Sequence, residues 1–404
     1  MKVKIEKGTA SGTVTAPPSK SMAHRLLISA AMCDGVSIIR GISSCEDVAA
    51  TLDCLEALGV EVKKVGADVT VKGRNFKDVN PTKPLMCRES GSTLRFMIPA
   101  ALLSGQTTVF YGAPRLMQRP MGVYEKLARE KGLTYISDGS SIVVRGPLRG
   151  GDYSLVGNVS SQFISGLIFA LPLAEGDSTV KITTPVESRS YINLTMNAVR
   201  AFGIQVEWVD EYTIKIPGNQ AYQPTDITVE GDWSGAAFPD ALNLFDGKVT
   251  VEGLNPDSIQ GDSVYRRYFD MLKLGVPNIH IGDCPDLGPI LFAVAAAKYG
   301  GVFSGTKRLK IKESDRAAAM AEELKKFGAS VSVYEDSVVI YPIEFHAPNE
   351  VLSGHNDHRI VMSLAILLTL TGGEIDGAEA VNKSYPDFFE SLKSLGIGVS
   401  EYDV

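Results

Sequence analysis

Cysteine and histidine are scarce in this 404-residue chain, at five each, and tryptophan occurs only twice. The cysteines (Cys33, Cys45, Cys54, Cys87 and Cys284) form no C-x-x-C pair. Such an odd, scattered set fits reduced thiols in a cytoplasmic protein. His355 and His358 lie three apart around Asp357, but no further cysteine or histidine cluster supplies the remaining ligands, so no metal is expected. Long apolar runs are also missing, since the most apolar stretch, Ile360 to Leu370, is too short to span a bilayer. The start, Met1-Lys-Val-Lys-Ile-Glu, reads as an alternating strand rather than a leader. Positive charge is not in excess: 40 Lys and Arg against 47 Asp and Glu give a net charge of −7, which argues against non-specific nucleic-acid binding. Neither G-x-x-x-x-G-K-[ST] nor G-x-G-x-x-G occurs between a strand and a helix, so no nucleotide cofactor is expected. Gly8-Thr-Ala-Ser-Gly12 reads as a hairpin turn rather than a phosphate loop.

What is present is repetition. A leucine-rich helix ending in Gly and followed by a β-branched or small residue recurs six times, with stops at Gly59, Gly132, Gly203, Gly275, Gly328 and Gly396. Glycine in the left-handed position just past a helix is the expected stop. Most copies run into two alternating strands around a polar turn, as at 60–73 and 329–342. Each is preceded by a second helix that is apolar all round and must therefore lie inside. Those helices begin at 19–21, 90–93, 160–162, 232–234, 285–289 and 356–359. The unit helix, strand, helix, strand, strand implies α/β architecture with buried helices and outer sheets. The sixth copy, ending at 400–404, is one strand short, while residues 1–16 belong to no copy. The simplest repair lets residues 1–16 complete the C-terminal sheet. Two domains follow, 17–227 and 1–16 with 228–404, each of three repeats. The fourth copy is short, with 276–284 in place of a full hairpin.

The charges near the helix starts need explaining. Ser19, Ser21, Ser90, Ser160, Asp232 and Asp357 are good N-caps. Capping does not explain Lys20, Arg25, Arg95, Arg119, Arg189, Lys312, Arg316, Arg359 and Lys383, all within about a turn of a helix start, where cations oppose the macrodipole. Helix starts with free N–H groups and added cations receive anions. If the helices of each domain point one way, the groups converge into an anion-seeking cleft for a small substrate with several negative charges. Asp47 is read as an N-cap, with support of Lys20 as the alternative, Trp233 and Phe238 as core, and His358 as an orienting or core residue.

Ten motifs in order (PPSKSMAHR, ESGSTLR, QRPM, VSSQF, SRSY, EGDWSGAA, CPDLGPI, KESDR, NDHR and NKSYPDFFESL) give an end-to-end resemblance to the 5-enolpyruvylshikimate-3-phosphate synthase family of carboxyvinyltransferases. The resemblance implies a two-domain inside-out α/β barrel, each domain of three βαβαββ repeats, with the active site in the interdomain cleft. It implies transfer of the carboxyvinyl group of phosphoenolpyruvate to the 5-hydroxyl of shikimate 3-phosphate, on the route to chorismate and aromatic amino acids. Shikimate 3-phosphate then falls to Lys20, Ser21, Arg25, Ser160, Ser161, Gln162, Ser188, Tyr191, Asp286 and Lys312. Phosphoenolpyruvate falls to Lys20, Gly91, Arg119, Gln162, Arg316, Arg359 and Lys383. The catalytic residues implied are Lys20, Asp286 and Glu313, with Glu313 handling the C3 proton and Asp286, helped by Lys20, the hydroxyl. Two positions depart from the family pattern. Glu89 replaces an Asn and is expected to pair with Arg88 or Arg95, and Arg308 or Leu309 stands where Asn is common. The partners implied are these two small molecules, with no cofactor, nucleic acid or membrane and a monomeric chain. Glyphosate, which acts at the phosphoenolpyruvate site of many family members, is an expected ligand. Two rivals are the sibling transferase acting on UDP-N-acetylglucosamine and a non-catalytic polyanion-binding scaffold. The sibling is expected to carry a reactive cysteine in the loop at 112–121, which has none here.

Overall fold

The computed structural model describes residues 1–341 and 345–402. Pro342 of the 329–342 hairpin and the last two residues of the 400–404 terminus lie outside the described residues. The chain divides into two compact units, Pro18–Glu230 and Met1–Pro17 with Gly231–Val404. The first is inserted in the sequence of the second.

The unit Pro18–Glu230 holds three sheets of four strands. In the sheet formed by Leu85–Met86, Thr107–Tyr111, Ser141–Arg145 and Thr134–Ser137, the first two strands are parallel and the last two make an antiparallel hairpin. The sheet of Gly151–Leu155, Ser178–Ile182, Thr213–Ile216 and Glu207–Trp208 repeats that plan. In the remaining sheet Ile227–Thr228, from the far end of the unit, lies parallel to Val36–Arg40 and takes the first-strand place. The helices Lys20–Ala31, Gly91–Ala101 and Ser161–Ala170 carry almost wholly buried sequence. The outer helices Glu46–Ala57, Gly122–Lys131 and Arg189–Ala201 bury only part of their surface. They stop at Gly59, Gly132 and Gly203, with φ of 81°, 66° and 82°, a conformation that costs glycine nothing.

The unit built from both ends of the chain follows the same plan with one exception. Asn278–His280, Gly301–Ser304, Ser337–Tyr341 and Ser330–Val333 form one sheet of four. Leu352–Ser353, Gly373–Asp376, Lys2–Ile5 and Val399–Tyr402 form another, in which the N-terminal strand sits antiparallel between two C-terminal ones. Val3 and Ile5 point inward and are fully buried, while Lys4 faces solvent, the alternation expected of a half-buried strand. The exception is the short fourth repeat. Its segment 276–284 supplies the first strand of the next sheet instead of a hairpin, leaving Lys248–Glu252 paired in parallel with Ser11–Thr15 alone. Trp233–Ala241, Gly288–Ala297 and His358–Thr371 form the buried helices, and residues 288–296 are buried without a break.

The hairpin expected at Gly8–Gly12 does not form. The strands on either side enter different sheets. Gly8 N–H donates to Thr369 O and Ser11 N–H to Leu395 O, both at 2.9 Å, so the link is pinned to helix ends rather than closed on itself. No described helix is long and apolar enough to cross a membrane.

Because Ile5 fills a central strand position, Ile5→Ala is expected to lower stability by about 3 kcal/mol, read from the urea midpoint. A loss below about 0.5 kcal/mol would mean that the N-terminal strand is an appendage.

Candidate active site

In the unit built from both chain ends, the site candidates gather around Arg316. Asp315 caps the helix Arg316–Lys326 by accepting from Ala318 N–H at 3.1 Å, and Asp357 caps His358–Thr371 by accepting from Arg359 N–H at 2.9 Å. Arg316 is 1% exposed and serves three carboxylates. Its Nε meets Asp357 Oδ2 at 2.8 Å, Nη1 meets Asp286 Oδ1 at 2.7 Å and Nη2 meets Glu313 Oε2 at 2.7 Å. Lys312 Nζ lies 3.1 Å from the same Asp286 oxygen, and Arg359 Nη2 lies 3.7 Å from Asp286 Oδ2. Three cations thus face three carboxylates. Burial alone would raise the Asp286 pKa, but Lys312, Arg316 and Arg359 outweigh it and hold that carboxyl well below its usual range. Burial lowers the Lys312 pKa against the pull of Asp286.

Arg359 is 4% exposed, and its Nε and Nη1 atoms meet no acceptor. Buried donors are costly to leave unmade, so this guanidinium is suited to an anion. Lys383 Nζ donates to Asn356 O at 2.6 Å and to Asn356 Oδ1 at 2.8 Å. Asn356 and His355 both take left-handed backbone, at φ 50° and 49°. Strain of that kind in non-glycine residues collects at functional loops. Arg308 is buried and donates from Nη2 to Gly282 O at 3.2 Å.

In the unit Pro18–Glu230, Lys20 Nζ lies 2.7 Å from Asp47 Oδ2, both side chains nearly buried. Asp47 is therefore not an N-cap. The cap position before Glu46–Ala57 is Cys45, and the Asp47 carboxylate is committed to a cation 27 residues away. Arg25 donates to Thr195 Oγ1 (2.8 Å), Ser21 O (2.7 Å) and Tyr191 O (3.1 Å), and its guanidinium lies over the rings of Phe96 and Tyr191. Burial brings its pKa down to about 10, still a cation near neutral pH. Ser160 caps Ser161–Ala170 by accepting from Gln162 N–H, and the Gln162 amide bridges Arg95 Nη1 (2.8 Å) and Ser92 Oγ (2.9 Å). A Cβ built on Gly91 would lie 2.7 Å from Arg119 Nη1 and 3.0 Å from Arg95 Nη1, so only glycine lets both guanidinium groups close on this backbone. Ser161 and Ser188 are buried, Ser188 at φ 55° at the head of Arg189–Ala201, beside Tyr191.

Within each unit, then, the candidates cluster. Ser21, Arg25 and Tyr191 are linked in one group, with Lys20 at the same helix start held by Asp47, and Gly91, Arg119 and Gln162 in another joined by Arg95. Asp286, Lys312, Glu313, Arg316 and Arg359 form the third. Arg189 does not join them. It stacks on Trp208 at 3.9 Å and donates to Glu211 O at 2.7 Å, because the hairpin after its helix folds back over it. Arg88 is held by Asp53, at 2.6 Å. Asp357 and Arg95 belong to the clusters by geometry, although the sequence marked one as a cap and the other as one cation among nine. Among the described residues, a group with metal-ligand spacing is Glu322, Glu323 and His355. Lys326 Nζ at 3.0 Å from Glu323 already supplies its positive charge, and the hydrogen bond to Glu323 raises the His355 pKa.

Six Gly-punctuated repeats with cations and carboxylates at the buried helix starts define an α/β protein built to handle small polyanions. Comparison narrows this class. The chain matches EPSP synthase (3-phosphoshikimate 1-carboxyvinyltransferase) over residues 5–392. It is 38% identical over 424 residues to the 3-phosphoshikimate 1-carboxyvinyltransferase of Clostridium kluyveri, covering 100% of this chain and 99% of that one. It is 39% identical to the enzyme of the same name from Clostridium acetobutylicum, with the same coverage. A solved structure of EPSP synthase from Acinetobacter baumannii has a TM-score of 0.78 at 26% identity, covering 99% of this chain and 100% of that one. The chain belongs to the EPSP synthase family.

Two outcomes test the cluster. Asp357→Asn leaves Arg316 short of charge inside the protein and is expected to cost about 3–5 kcal/mol in calorimetric unfolding. The folded Asp286 pKa lies below the unfolded value of about 3.9, so its contribution is present above that pH and fades as pH falls. Stability measured below about pH 4 should therefore decline less steeply in Asp286→Asn than in the wild type.

Proposed function

We propose that this chain transfers the carboxyvinyl group of phosphoenolpyruvate to the 5-hydroxyl of shikimate 3-phosphate and releases phosphate. The observation that carries the reading is Glu313 and Asp286 sharing one buried arginine, beside Arg359 with unmade donors. Binding alone would need the cations but not two carboxylates set among them.

The chemistry asks for three things. C3 of phosphoenolpyruvate must gain a proton while the hydroxyl attacks C2, and the tetrahedral intermediate must then lose phosphate and a C3 proton. Glu313, protonated from solvent once Arg316 exchanges its carboxylate for that of the substrate, gives that proton to C3 and retakes one as phosphate leaves. Its link to Arg316, three residues on along the helix start, fixes the carboxyl orientation. Asp286 draws the hydroxyl proton with Lys20, and its depressed pKa keeps it ionised for the task. Arg119, Arg359 and Lys383, with the Gly91 backbone and Gln162, hold the phosphate and carboxylate of phosphoenolpyruvate and stabilise developing charge. Arg316 joins them by exchanging one protein carboxylate for that of the substrate. Ser21, Arg25, Ser160, Ser161, Ser188, Tyr191 and Lys312 hold shikimate 3-phosphate. We further infer a monomeric cytoplasmic enzyme that binds glyphosate where phosphoenolpyruvate binds.

Phosphate release from phosphoenolpyruvate that depends on shikimate 3-phosphate is the defining assay. Release driven by UDP-N-acetylglucosamine, or none at all, would overturn the reading. Glu313→Gln is expected to lower turnover at least about 100-fold while shikimate 3-phosphate affinity stays within about twofold. Near-wild-type turnover would remove Glu313 from its role.

A further inference from the structure

His24 follows Lys20 by one turn in the helix Lys20–Ala31 and is fully buried. Its Nδ1 lies 2.8 Å from Thr51 Oγ1, and Thr51 Oγ1 lies 2.7 Å from Thr93 Oγ1. Thr93 in turn donates to Ser90 Oγ at 2.7 Å and approaches Asp47 O at 3.4 Å. Thr51, Thr93 and Ser90 are all fully buried. Ser90 caps the helix Gly91–Ala101, and the Asp47 carboxylate holds Lys20. The chain of hydroxyls therefore ties together the starts of three helices, those carrying Lys20, Asp47 and Gly91.

The direction of the protons follows from counting. Thr93 has one hydroxyl proton, and both of its acceptors, Ser90 Oγ and Asp47 O, lie away from Thr51. Thr51 must then donate to Thr93, and His24 Nδ1 must donate to Thr51. That leaves Nε2 as the bare nitrogen, and Nε2 is buried with no partner. Burial, with Lys20 and Arg25 nearby, lowers the His24 pKa well below its ordinary value, so the ring stays neutral and in one tautomer.

We propose that His24 is a positioning residue for the carboxyvinyl transfer, its Nδ1–H ordering the Thr51–Thr93–Ser90 chain so that the Gly91 helix start is held in register with Lys20. The proposal rests on the function assigned above. A buried hydroxyl chain has two directions, and here the Nδ1–H tautomer of His24 at one end agrees with the outward donation of Thr93 at the other, so every member is satisfied in the same sense. With the direction fixed, the Ser90 hydroxyl cannot turn away from Thr93, and the first N–H groups of Gly91–Ala101 keep their aim.

The test uses three full-length variants in the phosphate-release assay. His24→Leu and Thr51→Val break the chain, whereas His24→Asn keeps an N–H near the place of Nδ1. The first two are expected to raise the phosphoenolpyruvate KM roughly tenfold, with kcat changed less and shikimate 3-phosphate affinity within about twofold. His24→Asn should return the KM to within about threefold of wild type. Nitrogen-15 NMR of histidine-labelled wild type should show His24 neutral and Nδ1-protonated from about pH 5 to 9. An unchanged KM in folded Thr51→Val, an Asn variant no better than Leu, or an Nε2–H tautomer overturns the proposal. A wild-type chain that releases no phosphate overturns the assigned function instead, and the two failures are told apart by the tautomer, which is read without catalysis.

Discussion

The unit built from both chain ends depends on one guanidinium. Arg316 is removed from water and meets Asp286, Glu313 and Asp357 at once. A buried cation is tolerable only when fully paired, and a buried carboxylate likewise, so each of the four groups makes the others affordable. The three carboxylates come from three different local devices: a turn before an apolar helix, the loop 312–315 and the cap of His358–Thr371. The interaction therefore also fixes how those devices sit against one another. Lys312 and the buried Arg359 then face the same Asp286 carboxylate, where low exposure to water strengthens their attraction for anions.

Much of the architecture was legible because it is local. A glycine that ends a helix acts through its own φ, and a helix apolar all round has one place to go. Six such signals at regular spacing define the repeat without any long-range contact. The N-terminal strand could be assigned to the last sheet because a missing strand and a spare one are both visible in sequence. Its neighbour could not be placed, since Ser11–Thr15 alternates no differently from a hairpin strand and its parallel pairing with Lys248–Glu252 spans more than two hundred residues of sequence.

The clusters were legible as an excess of charge but not as partnerships. Nothing in the sequence around Asp47 separates a cap from a partner of Lys20, because both need an acidic residue in the first turn. Arg189 looks like the other cations until its helix is seen to pack Trp208 against it. Asp357 carries two duties, helix cap and counterion of Arg316, and only the first has a sequence signature. The hydroxyl chain from His24 was invisible altogether, since Thr51 and Thr93 are ordinary helix residues and Ser90 an ordinary cap until three helices meet.

The strand Lys2–Ile5 has a consequence for the order in which the molecule is made. It is synthesised before the inserted unit, whereas its two neighbours, Gly373–Asp376 and Val399–Tyr402, are synthesised after it. The inserted unit Pro18–Glu230 is complete long before, and can collapse as a body during translation. Until residues 373–402 have been made, the nascent protein therefore carries this strand unpaired, with two buried-facing side chains, the interval in which a chaperone or a neighbouring nascent chain has its opportunity to bind.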